Sequence, residues 1–275
     1  MVKLDKNAHQ IIGVLGCGFV GEQVLSQFNW HQNSWFTRTK SSDEGIEFNI
    51  DDTNTWQNLP EKADCLLVTF PPAFKTCEDE AARLRAWCSW MNKSRPAIKR
   101  LIYISTTGVY AEQPGHFDEY SPTKPSHLRG ELRLCSEQVL AEFFDLVTIR
   151  CGGIYGPKRN IISKIKSGKA IFAGHKKVYR IHVEDLANMV ALIAKTWPEH
   201  KVFHGVDSIS ASQDEVIAWL KTQSLWDELA LSFKLNDKRL DDDSNAAPRT
   251  IGQNNLLKCF GYQLKYPSFK EGLKS

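Results

Sequence analysis

Apolar and polar positions alternate in two rhythms through the first half of this chain. Short apolar runs at 10–15, 34–38, 46–50, 64–69, 99–104 and 145–150 predict β-strands. Two of them, Cys65-Leu66-Leu67-Val68-Thr69 and Leu101-Ile102-Tyr103-Ile104, are apolar on both faces, as parallel strands covered by helices require. Between the runs, 19–28, 75–92 and 128–143 predict helices, and Pro71-Pro72 punctuates the approach to the second. Strand and helix in regular alternation predict a doubly wound α/β fold with a six- or seven-stranded, mainly parallel sheet. Beyond about residue 151 the rhythm loosens into helices at 160–167, 184–195 and 212–222, with short strands between them, one near 201–205. The expected organisation is a sheet domain over 1–150 and a smaller lobe over 151–275, contiguous with it and closing over the sheet's C-terminal edge.

Composition narrows the function classes. At 275 residues, 42% hydrophobic and 24% charged, the chain can bury a full core. A net charge of +3 does not by itself point to nucleic acid, and no apolar run approaches the length of a membrane span. Seven cysteines form no CxxC pair, and the first residues lack the apolar stretch of a secretory signal. The expectation is a cytoplasmic protein with reduced thiols, monomeric or homodimeric, without a membrane or nucleic-acid partner. No His/Cys/Asp/Glu grouping has metal-ligand spacing.

The first strand runs directly into Gly16-Cys17-Gly18-Phe19-Val20-Gly21. In a GxGxxG turn the first glycine permits the tight bend, the second lets backbone approach a pyrophosphate, and the third lets helix pack on strand. The helix that opens at Phe19 and Val20 would present its N–H groups to the phosphates. An apolar strand before the motif and an amphipathic helix after it point to a dinucleotide and a Rossmann-type domain. The second strand ends in Arg38-Thr39-Lys40, where an NAD-binding chain usually carries an acidic residue for the ribose 2′-hydroxyl. Arg38 and Lys40 suit a 2′-phosphate instead, so NADP is expected over NAD. Asp51, closing the third strand, can contact the adenine or cap the following helix.

Further motifs follow in order: Ser105-Thr106-Thr107-Gly108-Val109-Tyr110, Asp118-Glu119-Tyr120-Ser121-Pro122, Ile154-Tyr155-Gly156-Pro157-Lys158-Arg159, Arg180-Ile181-His182-Val183-Glu184-Asp185, and a closing Tyr266-Pro267-Ser268. Together with the glycine loop they resemble the extended short-chain dehydrogenase/reductases, the NAD(P)-dependent epimerase/dehydratase family, over nearly the whole chain. The resemblance implies nucleotide-sugar chemistry. It also implies cofactor contacts from Thr69, Pro71 and Ser105 and substrate contacts from Thr107, Tyr120, Arg159 and Arg180.

The departures limit what carries over. Such enzymes use Tyr-x-x-x-Lys, the tyrosinate exchanging a proton and the lysine lowering its pKa. Here Thr106 matches the family's Ser/Thr, but Arg129 and Arg133 stand where the tyrosine and lysine belong. Arginine stays protonated near neutrality and is a poor general base. Three readings remain open. Tyr110 or Tyr120, both expected in loops at the sheet's C-terminal edge, replaces the hydroxyl; Arg129 and Arg133 clamp an anionic substrate while water or another acid moves the proton; or the chain binds NADP without turnover, as a regulator. From Leu146 to Val183 there are nine basic residues and no acid, a local positive field suited to a small anionic substrate.

Overall fold

The computed structural model describes residues 11–27, 34–37, 45–236 and 249–275. Seven parallel strands form the main sheet: β1 (Ile12–Leu15), β2 (Ser34–Thr37), β3 (Ile46–Glu47), β4 (Cys65–Val68), β5 (Arg100–Thr106), β6 (Asp145–Cys151) and β7 (Val202–Gly205). Their spatial order is β7-β6-β5-β4-β1-β2-β3. The order reverses direction at β1, which is where a doubly wound sheet opens a crevice beyond its C-terminal edge.

Period-two alternation divides the strand side chains between two cores. On one face, Ile12, Val14, Leu67, Ile102, Val147 and Ile149 pack with α1 (Phe19–Leu25) and α5 (Val183–Thr196). On the other, Leu66, Val68, Leu101 and Tyr103 pack with α2 (Cys77–Ser94) and α3 (Leu128–Phe143). Both faces are covered, which explains the uninterrupted apolar runs of β4 and β5. A third cluster, including Ile165 of α4 (Ile161–Lys166) and Val216, Ile217 and Leu220 of α6 (Gln213–Leu220), forms the interior of the smaller part.

Two boundaries differ from expectation in ways that matter for the site. β5 continues to Thr106 because its ladder with β6 persists, Ser105 opposite Arg150 and Thr106 opposite Cys151. The region beyond 151 is not solely a lobe. It supplies β7, hydrogen-bonded to β6 as the sheet's edge, and α5, which packs on α1. Its remaining strands form short parallel pairs, among them Arg180–His182 with Gly153–Tyr155 and Arg249–Ile251 with Gly115–Phe117. Among the described residues no helix is long and apolar enough to cross a membrane.

Candidate functional site

The glycine loop is held from below. Gly16 adopts φ +92°, a conformation that side chains rarely tolerate, and a Cβ there would lie 2.7 Å from Thr69 Oγ1. The Thr69 hydroxyl donates to the carbonyl of Gly16, and its N–H donates to Leu15 at 3.0 Å, so the end of β4 clamps the turn after β1. Gly21 approaches Val14 closely, letting α1 lie on the strand. Gly18 is different: among the described residues nothing lies within 4 Å of where its Cβ would project, and α1 begins there without a side-chain cap. Phe19 opens the helix, Val20 is buried behind it, and Gly18 is exposed. Arg38 and Lys40 lie outside the described residues.

A cavity beside the loop is lined by Gly16, Phe48, Asn49, Ile50, Phe70 and Arg83. Both carboxylate oxygens of the half-exposed Asp51 are held by Arg83, Nε at 2.6 Å and Nη2 at 3.3 Å. Arg83 was invisible in the sequence, because one arginine on an amphipathic helix reads as solvated surface. Pro71 is exposed on the loop that leaves β4.

At the end of β5 the hydroxyls separate. Ser105 is buried and its hydroxyl donates to Glu137 Oε1 of α3. Thr106 is half-buried and accepts the N–H of Gly108 at 3.1 Å, leaving its own proton unspent among the described residues. The carbonyl of Thr107 accepts from Arg249 Nη2, a cation brought in by the C-terminal segment and unmarked by any motif. Glu137 in turn pairs with Arg150 at 2.7 Å, with both side chains nearly sealed from water.

Tyr110 is a correction to the sequence reading. It is fully buried, its hydroxyl accepting from Arg150 Nη1 at 2.7 Å and lying 2.7 Å from His204 Nε2. His204 Nδ1 faces the carbonyl of Gly252, so Nδ1 carries the proton, and Nε2 accepts from the phenol. Burial pushes the Tyr110 phenol up and the His204 imidazole down, leaving both neutral near pH 7. Tyr120, by contrast, lies away from the C-terminal edge. Glu119 accepts the N–H groups of Asn254 and Asn255, and that tether carries Tyr120 to Asn255 Oδ1 at 2.8 Å, beside the entry to β7. Both loops are fixed by partners far along the chain.

The two arginines of α3 also part company. Arg133 Nη1 donates to Ile104 O at 2.8 Å, to Tyr103 Oη at 2.9 Å and to Phe70 O at 3.4 Å, across the C-terminal ends of β4 and β5. Its Nε and Nη2 have no partner among the described residues. Arg129, one turn earlier, is exposed. Arg159 sits over the Phe19 ring at 5.2 Å, bringing a cation beside the glycine loop. Arg180 is committed to the carbonyls of Ala211 and Val178, while its own N–H donates to Asp207 at 2.9 Å. Asp207, likewise missed by motif reading, is 1% exposed, its Oδ2 has no hydrogen-bond partner among the described residues, and burial pushes its carboxyl up to about 7.

The expected positive field is weaker than the sequence implied. Arg150, Lys166, Lys176 and Lys177 pair with Glu137, Glu228, Glu112 and Glu215, acids contributed by other segments.

The model of the NAD-dependent epimerase/dehydratase family matches residues 12–204. Among solved structures, MoeE5 in complex with UDP-glucuronic acid and NAD is 16% identical at a TM-score of 0.74, covering 96% of each chain. UDP-N-acetylglucosamine 4-epimerase from Bacillus cereus is 13% identical at 0.73, covering 96% of this chain and 97% of that one. DesIV, a dTDP-glucose 4,6-dehydratase from Streptomyces venezuelae solved with NAD bound, is 14% identical at 0.74, covering 96% of this chain and 94% of that one. At these identities the likeness establishes the fold. No curated protein matches the sequence.

Proposed function

The chain belongs to the NAD-dependent epimerase/dehydratase family, and from that premise we propose that it holds NADP at the glycine loop. Its reaction is oxidoreductase or epimerase chemistry on a phosphorylated or nucleotide-linked, sugar-like molecule. The observation that carries this reading is the edge formed by β5, β4 and β1. There the clamped Gly16, the open Gly18 and the unspent Thr106 hydroxyl occupy the ends of neighbouring strands. The nucleotide-linked ligand and NAD bound by MoeE5 support the substrate class and the cofactor type. The preference for the 2′-phosphorylated form rests on Arg38 and Lys40.

A bound dinucleotide supplies the carbon that takes or gives hydride. The chain's own part is electrostatic. Thr106 hydrogen-bonds a substrate hydroxyl or carbonyl, and Arg133, with Nε and Nη2 unspent, stabilises negative charge on that oxygen. Arg129, exposed at the same helix end, meets an anionic group of the substrate. Neither arginine gives up a proton, so the proton passes through water or the substrate. A second reading, a non-catalytic NADP-binding regulator, is favoured by one observation: the hydroxyls of Tyr110 and Tyr120 are committed elsewhere.

Two measurements test these readings. NADPH should bind at least about tenfold more tightly than NADH, equivalent to about 1.4 kcal/mol, and Arg38→Ala should erase the difference. UDP- and dTDP-hexoses added to the protein with stoichiometric NADP or NADPH should then change the nicotinamide absorbance. Tight NADPH binding with neither a redox change nor a converted sugar for any of them favours the regulator.

A further inference from the structure

Two cysteines meet where α2 and α3 pack together. Cys77 is the first residue of α2, reached from the exposed loop that leaves β4 and capped by Thr76. Cys135 lies midway along α3. Its thiol donates to the carbonyl of Cys77 at 3.2 Å and stands within hydrogen-bonding reach of the Cys77 thiol as well. Both side chains are half-buried, so a small reagent can reach them. Cys65, Cys88 and Cys151 are instead sealed in the two sheet cores. All seven cysteines are free.

We infer that Cys77 and Cys135 are a redox-sensitive dithiol, which a small-molecule disulfide such as oxidised glutathione converts into an intrachain disulfide. Cys77, its proton released to solvent, attacks one sulfur of the reagent, and a glutathione thiolate leaves. Cys135 then releases its proton and attacks the Cys77 sulfur, expelling the second glutathione thiolate. The two protons end on the two departing thiols, so two protein thiols are oxidised while one small disulfide is reduced. Burial pushes the Cys135 thiol up to about 11, which makes it the slower nucleophile, and its contact with Cys77 offsets this by proximity. The bond pins the loop that leaves β4 to α3. Without it the loop is held from α2, where Glu80 accepts the N–H groups of Ala73 and Phe74, and meets α3 where Arg133 Nη1 reaches Phe70 O at 3.4 Å. A link across 58 positions also removes freedom from the unfolded chain.

The test incubates the reduced full-length protein with oxidised glutathione, alkylates the remaining thiols and cuts the chain with trypsin. Peptide 76–83, holding Cys77, should emerge linked to peptide 134–150, holding Cys135, with the other five of the seven cysteines alkylated. Thermal unfolding of the linked protein should show a Tm higher by at least about 4 °C, and dithiothreitol should reverse the rise. Cys135→Ser should stop at a mixed disulfide of glutathione on Cys77, with no rise in Tm. Mapping the link in wild type needs no variant to fold. Failure of wild type to form it, mixed disulfides left standing on both residues, or links shared among other cysteines overturn the dithiol. A linked protein whose Tm does not rise overturns the pinning of the loop, because the bond then strains the native packing. A folded Cys135→Ser that takes up no glutathione at Cys77 overturns the assignment of the attacking thiol.

Discussion

Replacing Tyr110 by Phe separates two roles that sequence and structure assign differently. In the structure the phenol accepts from Arg150 Nη1 and donates to His204 Nε2, each over 2.7 Å, in a site closed to water. Removing the oxygen strands one buried imidazole acceptor and one guanidinium hydrogen. Each buried group left unsatisfied costs about 1–3 kcal/mol. Arg150 retains Glu137, so the lower half of the range applies to it, and about 2–5 kcal/mol is expected in total. For a chain of this size that lowers Tm by roughly 4–20 °C. The assay is thermal unfolding by circular dichroism, paired with NADPH titration, and the affinity should hold within about twofold because no cofactor contact is touched. His204 adds a signature in pH. Its folded pKa lies below the ordinary imidazole value of 6.5, so its contribution is complete above 6.5 and declines as pH falls below it. Wild-type stability should show that decline. A Tyr110→Phe variant with unchanged Tm and abolished hydride transfer would refute the buried-network account and return the phenol to the chemistry.

Three other outcomes are expected. Gly16→Ala must abandon φ +92° or displace Thr69, so Tm should fall and NADPH affinity drop at least about tenfold; Gly18→Ala, with nothing within 4 Å, should leave Tm unchanged and lose only affinity. Asp207 goes from 3.8 to about 7 on burial, worth about 4 kcal/mol against the folded state once ionised. Because its folded pKa is raised, that stability is present at acid pH and is lost as pH rises through 7. Asp207→Asn should remove this loss, and an identical pH dependence in the variant would show that Asp207 does not titrate there. Pyrophosphate or a nucleoside diphosphate should raise the Tm of the NADPH complex, and the rise should shrink in Arg133→Ala and Arg180→Ala. Equal stabilisation of wild type and variants would mean that these arginines serve only the carbonyls they already hold.

What could be read from the chain was local. The doubly apolar runs of β4 and β5 and the glycine turn each encode their surroundings in consecutive residues, so the sheet, its two covered faces and the tight turn after β1 were legible. What escaped depends on partners far away in sequence. Arg83 meets Asp51 across 32 positions, Arg249 meets Thr107 across 142, and Tyr120 meets Asn255 across 135. No periodicity encodes such pairs. The basic stretch misled for the same reason, since its neutralising acids belong to other segments.

The most consequential substitution is the one in α3, and its packing explains what it can still do. A Cβ on Gly130 would collide with the carbonyl of Gly108, so the helix enters pressed against the loop that follows β5. That contact fixes the heading of the first turn and leaves Arg129 outside, in water. One turn later Arg133 spans the ends of β4 and β5, its Nη1 lodged among a phenol and two carbonyl oxygens that an ammonium could also satisfy. A guanidinium differs in its geometry: with one nitrogen anchored, its rigid plane projects Nε and the other terminal nitrogen at a fixed angle. The anchor therefore sets the direction in which the remaining donors point. A tyrosine–lysine pair moves a proton, whereas an anchored guanidinium offers permanent positive charge and hydrogen bonds to an oxygen. On the function proposed above, this edge would stabilise a charged oxygen, with the proton supplied from elsewhere.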